Sequence, residues 1–153
     1  WRMIDVRIGI EDFSINQEWA ACRQRMGAAG GAIVVFGGLV RDQVADSAVT
    51  GLFLEHYPNM TEASIRKIAK DASKRWDLLD IVIVHRVGRL ELGDQIVMVL
   101  VGSAHRPDAF DACEYIMDYL KTEAIFWKKE FRGESSHWIK STSNDYQRRD
   151  GWE

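Results

Sequence analysis

Residues 95–102 read QIVMVLVG, apolar without alternation, and this run limits the fold more than any other stretch. A strand with one face in water alternates apolar and polar side chains, because successive side chains point to opposite faces. A run that keeps no polar face is expected at the centre of its sheet.

The neighbouring segments supply the rest of an α/β (α+β) pattern. Ile4, Val6, Ile8 and Ile10 alternate with other residues, as in a half-buried strand. Ser14 and Gln17 have capping-box spacing, and Ile15, Trp19, Cys22 and Met26 follow at helical intervals. The glycine-rich GAAGG (27–31) ends that helix. A phosphate-cradling glycine loop follows a strand and opens a helix, whereas this one does the reverse, so it is read as a connection. Strands are predicted over 32–40, 50–57 and 80–87, with a polar loop at 42–47 and a turn region at 88–94. Thr61 is expected to cap a helix whose apolar face is Ile65, Ile68, Ala72 and Trp76. Pro107 suits the first turn of another, with Phe110, Cys113, Met117 and Leu120 buried and an end near Thr122. Residues 126–131 and 137–141 predict a hairpin turning at 133–136. The order β-α-β-β-α-β-β-α-β-β gives one domain over 1–153 with a mostly antiparallel or mixed sheet. Its last residues, 142–153, are a polar tail or a docking segment.

Several function classes are excluded early. The chain is 46% hydrophobic and 28% charged, a globular balance. No apolar run approaches the roughly 20 residues of a membrane helix. Arg2, Asp5 and Arg7 interrupt the first apolar positions, which is unlike a signal peptide, and the Trp1 start is expected to be a trimmed one. Net charge is −3 and the isoelectric point is near 5.8, which argues against broad nucleic-acid binding. Any basic site is therefore local. Cys22 and Cys113 fall on apolar helix faces, as reduced thiols in a cytoplasmic protein would. No Cys or His pair has zinc-ligand spacing, and no Ser-His-Asp set can be assembled.

The chemistry is concentrated in 103–130, SAHRPDAFDACEYIMDYLKTEAIFWKKE. His105 and Arg106 stand at a helix N-terminus, where free backbone N–H groups and the helix dipole favour an anion. The dipole contributes about 0.3–1 kcal/mol, and a guanidinium–phosphate hydrogen bond about 1.5–3 kcal/mol. Arg106 is thus the larger contributor, unless it merely pairs with Asp108 or another surface carboxylate. Lys121 lies at the other end of that helix, where a lysine is favoured by the dipole alone. Lys128 shares a strand face with Phe126 and Glu130, and Lys129 does not. Singly, each lysine is more simply a solvated residue. If the hairpin folds back over the helix end, Lys121 and Lys128 converge, and neighbouring cations lower a lysine's pKa and free its amine for base or nucleophile work. Arg41 ends a strand and opens a loop, a common place for a binding residue. His56 and His85 are read as packed strand residues.

Five segments carry a family match: FGGLVRD (36–42), LEHYPNMTE (54–62), VIVHRVGRLELGDQIVMV (82–99), SAHRPDAFDACEYIMDYLKT (103–122) and FWKKE (126–130). In these the chain resembles the catalytic (large) subunit family of molybdopterin synthase. The resemblance implies a hammerhead-type α/β fold and a homodimer, extended to a heterotetramer by two small ubiquitin-like subunits. Each small subunit would insert a C-terminal thiocarboxylate into a large-subunit pocket. The substrate would be cyclic pyranopterin monophosphate, converted to molybdopterin by two sulfur transfers with no cofactor or metal. Lys121 and Lys128 are then the catalytic candidates. Arg41, His105, Arg106, Lys121 and Lys128 would hold substrate, with Glu130 a further pterin contact. Two departures from the family pattern are Leu39, where some relatives carry a basic residue, and Ile125, where a proline commonly precedes the Phe-Trp-Lys motif. A rival reading is a non-catalytic module that captures a ubiquitin-like tail, which leaves the paired lysines without a use. A nucleotide- or RNA-binding domain would show steep salt dependence, and the acidic balance counts against it.

Overall fold

The central position expected for 95–102 has a clear structural counterpart. The computed structural model describes residues 3–44, 47–48, 50–124, 126–132, 135–139 and 141–153. Trp1, Arg2, the Ala45-Asp46 part of the 42–47 loop, Val49, Ile125, the Gly133-Glu134 half of the hairpin turn and Lys140 lie outside the described residues. The elements run β1 (Met3–Gly9), α1 (Ile15–Met26), β2 (Ala32–Leu39), β3 (Gln43–Val44), β4 (Ser47–Ala48), β5 (Gly51–His56), α2 (Met60–Arg75), β6 (Asp80–Arg86), β7 (Gly88–Glu91), β8 (Gln95–Ser103), α3 (Arg106–Leu120), β9 (Phe126–Arg132), β10 (Ser135–Ile139) and α4 (Ser143–Asp150).

The first sheet has the order β1-β6-β8-β2, with β1 parallel to β6 and the other pairs antiparallel. Strand β8 is buried because helices cover both of its faces. Val97, Val99 and Val101 pack with Ile65, Ile68, Ala69, Ala112 and Ile116 of α2 and α3. Met98 and Leu100 pack with Cys22 of α1 on the opposite side. A second, antiparallel sheet has the order β10-β9-β5-β7. Its apolar face (Leu52, Leu54, Leu90) closes over Val40 and Val87. Phe126 packs against the cores of both sheets, so the first residue of β9 fixes one sheet against the end of the other. The mixed and antiparallel pairing, the single α+β architecture and the β9–β10 ladder agree with the sequence reading, except that the strands form two main sheets rather than one.

Three local readings are corrected. Residues 88–91 form β7 instead of a turn. Gly88 (φ 85°) and Gly93 (φ 83°) do turn the chain, but between them Leu90 points inward and the segment pairs with β5. Part of the 42–47 loop is a two-residue ladder, β3 with β4. Thr61 is not the cap of α2. Asn59 (φ 72°) occupies that position, and the buried Thr61 hydroxyl accepts from the N–H of Tyr57 at 2.9 Å. Of the two readings of the polar segment after residue 141, the docking one holds. Thr142 and Asp145 form a reciprocal capping box for α4. Arg148 and the Trp152 indole both donate to Asp118 of α3, at 3.0 and 2.8 Å, and Trp152 stands edge-on to Trp76 and Tyr115.

One glycine ties β2 to the start of α3. The Gly31 N–H donates to the Ser103 carbonyl at 2.9 Å. A Cβ on Gly31 would fall 2.2 Å from the Ala104 carbonyl oxygen, so no larger residue fits without moving backbone. The first residue of β2 is thereby held beside His105 and Arg106.

Candidate active site

Lys128 faces inward from β9, opposite Leu54 of β5, and shares that face with the buried Glu130. Lys121 is the C-cap residue of α3, and its carbonyl accepts from the Ser141 hydroxyl. Arg41 follows β2 by two residues and is exposed. Lys121 and Lys128 lie seven residues apart and Arg41 80 residues before Lys121, yet both Lys121 and Arg41 act electrostatically on Lys128. Burial lowers the pKa of Lys128 from its usual 10.5, and Lys121 and then Arg41 push it further the same way, while Glu130 and Asp145 oppose them. An ammonium that is half-buried among cations gives up its proton more readily than a solvated one. The Lys128 amine is therefore expected to titrate below pH 10.5. Lys121→Ala should move that midpoint upward, because a neighbouring positive charge is gone. The Lys128 Cε resonance followed against pH in both proteins checks this, and an unmoved midpoint would show that the two amines are not coupled.

Two histidines that the sequence reading left as strand residues belong to the same place. His85, near the end of β6, is on the α2–α3 side of the first sheet, in phase with Ile81 and Ile83. Its ring stacks on Phe126 with centroids 4.1 Å apart and planes 26° from parallel. Its Nδ1 lies 2.8 Å from the Arg86 carbonyl oxygen. Burial is the main reason its pKa falls to about 4, and Lys121, Lys128 and His56 add to the fall. His56 ends β5 directly opposite Phe126. The signal was present in the strand period, which puts every second residue of β6 on one face, but period alone does not say which helix end that face meets.

His105 and Arg106 stand at the other end of α3. His105 is its N-cap, with a backbone N–H donating to the Ser103 hydroxyl at 3.0 Å and Nε2 3.9 Å from Asp77 Oδ2. Arg106 is exposed and makes no side-chain hydrogen bond or ion pair among the described residues, so the expected alternative partner, Asp108, does not hold it. A 15-residue helix is about 22 Å long at 1.5 Å per residue. One chain therefore carries two cationic groups: Arg41, Lys121 and Lys128 at one end of α3, and His105 with Arg106 at the other. Leu39 is 59% exposed at the end of β2.

The structure has two hollows. One of about 430 Å³ is lined by Glu55, His56, Tyr57 and Trp127, where β5 ends and β9 begins. A larger one, about 740 Å³, lies between α1 and the start of β2, and its lining contains no carboxylate or histidine. The lysine end, where the pKa values of Lys128 and His85 are displaced, is the better candidate for acid–base chemistry. Among the described residues, no three His, Cys, Asp or Glu side chains are grouped to hold a metal ion, and no helix is long and apolar enough to cross a membrane.

Comparison with known proteins shows which family the chain resembles in sequence and fold. The MoaE protein family matches residues 9–123. A molybdopterin synthase catalytic subunit from Vibrio cholerae is 51% identical over 152 residues, covering 98% of this chain and 100% of its own. Among solved structures, a molybdopterin biosynthesis MoaE protein from Burkholderia ambifaria superposes with a TM-score of 0.83 at 48% identity, covering 98% of each chain. A molybdopterin synthase from Staphylococcus aureus gives 0.79 at 32% identity, covering 87% of this chain and 95% of that one.

Proposed function

The chain belongs to the MoaE protein family, and from that premise we propose that it acts as the catalytic subunit of a molybdopterin synthase. It converts cyclic pyranopterin monophosphate to molybdopterin by two sulfur transfers, each from the thiocarboxylated C-terminus of a small ubiquitin-like subunit. The observation that carries the reading is the lowered pKa of Lys128 beside Lys121 and Arg41. Each sulfur transfer needs protons moved, and the cyclic phosphate must open. An amine with reduced proton affinity gives up its proton more readily than a solvated lysine does. Lys121 and Arg41 attract both the phosphate and the thiocarboxylate tail. Glu130, on the same face of β9, is placed to accept from a pterin N–H.

A homodimer unites the two cationic groups. Strand β2 is an edge of its sheet and exposes Phe36 and Leu39. Antiparallel pairing of β2 with its copy about a twofold axis lays the Leu39–Arg41 end beside the copy's residue 32. That residue follows Gly31, which is bound to Ser103 and so sits next to His105 and Arg106. The second copy's His105 and Arg106 then complete the phosphate seat for the first copy's lysines, and two small subunits make a heterotetramer. The same proposal places the protein in the cytoplasm, supported by two buried thiols that form no disulfide.

The direct test mixes the protein with a thiocarboxylated small subunit and the cyclic pterin and looks for dithiolene product. Partner binding without product would reduce the protein to a module that captures the tail. The shared seat has its own test. Lys121→Ala and Arg106→Ala homodimers are each expected to be poorly active. Mixed after subunit exchange, they should regain about a quarter of the wild-type sites, because each heterodimer keeps one intact Lys121–Arg106 pair across the twofold. No recovery would place both residues in the same subunit's site.

A further inference from the structure

Beyond the groups that would touch substrate, we propose that Ser103 is a positioning residue for His105 and Arg106. Its buried hydroxyl sets the direction in which that pair leaves the start of α3 toward the phosphate seat of the other copy. The kinetic readouts of this inference rest on the sulfur-transfer reading and the shared seat, and its hydrogen-exchange readout rests on neither.

Ser103 is the last residue of β8, is fully buried, and joins three segments. Its hydroxyl lies 2.7 Å from the Asp77 carbonyl oxygen and 3.0 Å from the His105 backbone nitrogen. A carbonyl can only accept, so the one hydroxyl proton goes to Asp77 and a lone pair is left for the His105 N–H. The Ser103 carbonyl accepts from the Gly31 N–H at 2.9 Å, beside the edge strand β2.

Both backbone groups of His105 are thereby held. Its carbonyl accepts from the Ala109 N–H at 3.2 Å, in the first turn of α3, and its N–H donates to Ser103. The side chains have no comparable hold. His105 caps the helix without a side-chain hydrogen bond. Its ring stands 3.9 Å from the Asp77 carboxylate, but both side chains are largely exposed and water screens such a pair. Arg106 makes no side-chain hydrogen bond or ion pair among the described residues. The backbone at 103–105 therefore decides where the imidazole and the guanidinium point. Misplacing a binding group by about 1 Å is costly in rate. An alanine at 103 would leave the His105 N–H and the Asp77 carbonyl without this partner.

The test uses the complete enzyme with its small subunit. Ser103→Ala is expected to raise KM for the cyclic pterin by about tenfold with kcat within about threefold of wild type, because the lysines are untouched. A fall in kcat at unchanged KM would overturn the proposal. Asp77→Ala keeps the backbone carbonyl that Ser103 uses and removes the carboxylate, so its KM should stay within about threefold of wild type. An equal rise in KM from Asp77→Ala would show that the carboxylate aims the pair, and would overturn the proposal. Subunit exchange separates positioning from a general loss of structure. At pterin concentrations below KM, Ser103→Ala mixed with Lys121→Ala should exceed the mean of the two homodimers, because each heterodimer keeps one site with both parts intact. Ser103→Ala mixed with Arg106→Ala should not, because both changes fall on the same half of the seat. The reverse pattern would overturn the proposal, as would no gain with Lys121→Ala when the Lys121→Ala and Arg106→Ala mixture recovers. Amide hydrogen exchange needs no turnover. The His105 N–H is expected to be protected in the wild type and to exchange faster in Ser103→Ala. Free exchange in the wild type would overturn the proposal whatever the activities. Wild-type protein that makes no product would sink the sulfur-transfer reading and leave the His105 amide to decide on Ser103.

Discussion

Lys121→Ala is expected to slow dithiolene formation by about 10²–10⁴-fold, the range for loss of a positioned acid or base, while the small subunit still binds. Two effects act together. The side chain is lost from the place where substrate anion and sulfur donor meet. Lys128 also regains proton affinity, because Lys121 is the largest of the charges that lower it. The fold should survive, since Lys121 is an exposed C-cap whose structural bonds are made by its backbone. Lys121→Arg separates charge from proton transfer. A guanidinium keeps the anion contact but cannot give up its proton near neutral pH. It should retain substrate binding and still turn over slowly. Single-turnover assays with calorimetric binding of the small subunit check both variants, and near-normal turnover of Lys121→Ala with partner bound would remove Lys121 from the mechanism.

The first sheet was legible because its strands obey simple rules. Strand β8 lacks alternation because α1 covers Met98 and Leu100 while α2 and α3 cover Val97, Val99 and Val101. The helices announced themselves by apolar spacing, and Ser14 accepts from the Gln17 N–H as its position suggested. What escaped was set by tertiary contact. Strand β7 is four residues long, too short for a period, and turn-forming glycines flank it on both sides. Helix α4 is polar throughout, so no apolar stripe marks it. Its anchor is a single indole beyond its end, which fits between Trp76 and Tyr115 and donates to Asp118.

The candidate site divides in the same way. Motif spacing pointed to His105, Arg106, Lys121 and Lys128, and the family resemblance added Glu130 and a substrate-holding role for Arg41. It did not show that α3 holds His105 and Arg106 about 22 Å from Lys121. Residues one turn apart on a helix are neighbours, but residues at its two ends can share a ligand only through another chain. His85 was missed for the opposite reason. It lies 36 residues before Lys121 and looks like a strand residue, and only the packing of Phe126 over the end of β6 brings it to the lysines.

Burial of His85 in its neutral form predicts a specific acid weakness. Its ordinary pKa of 6.5 falls to about 4 in the folded protein. As pH drops below 6.5 the unfolded chain binds a proton at this residue while the folded chain does not, so stability is lost progressively. The loss is complete once pH is below about 4, where both states are protonated. One pH unit of displacement corresponds to about 1.4 kcal/mol, so this residue alone accounts for about 3 kcal/mol between pH 6.5 and 4. The groups that would meet the new imidazolium are Lys121, Lys128 and His56, all cationic or able to become so, and none can compensate it. His85→Gln has no group to titrate at that position. Denaturant unfolding of both proteins from pH 7 to 4 should show the wild type losing about 3 kcal/mol more than the variant over that interval. Parallel curves would mean that the imidazole accepts its proton in the folded state as easily as in water, and that the ring is not enclosed between Phe126 and the lysines.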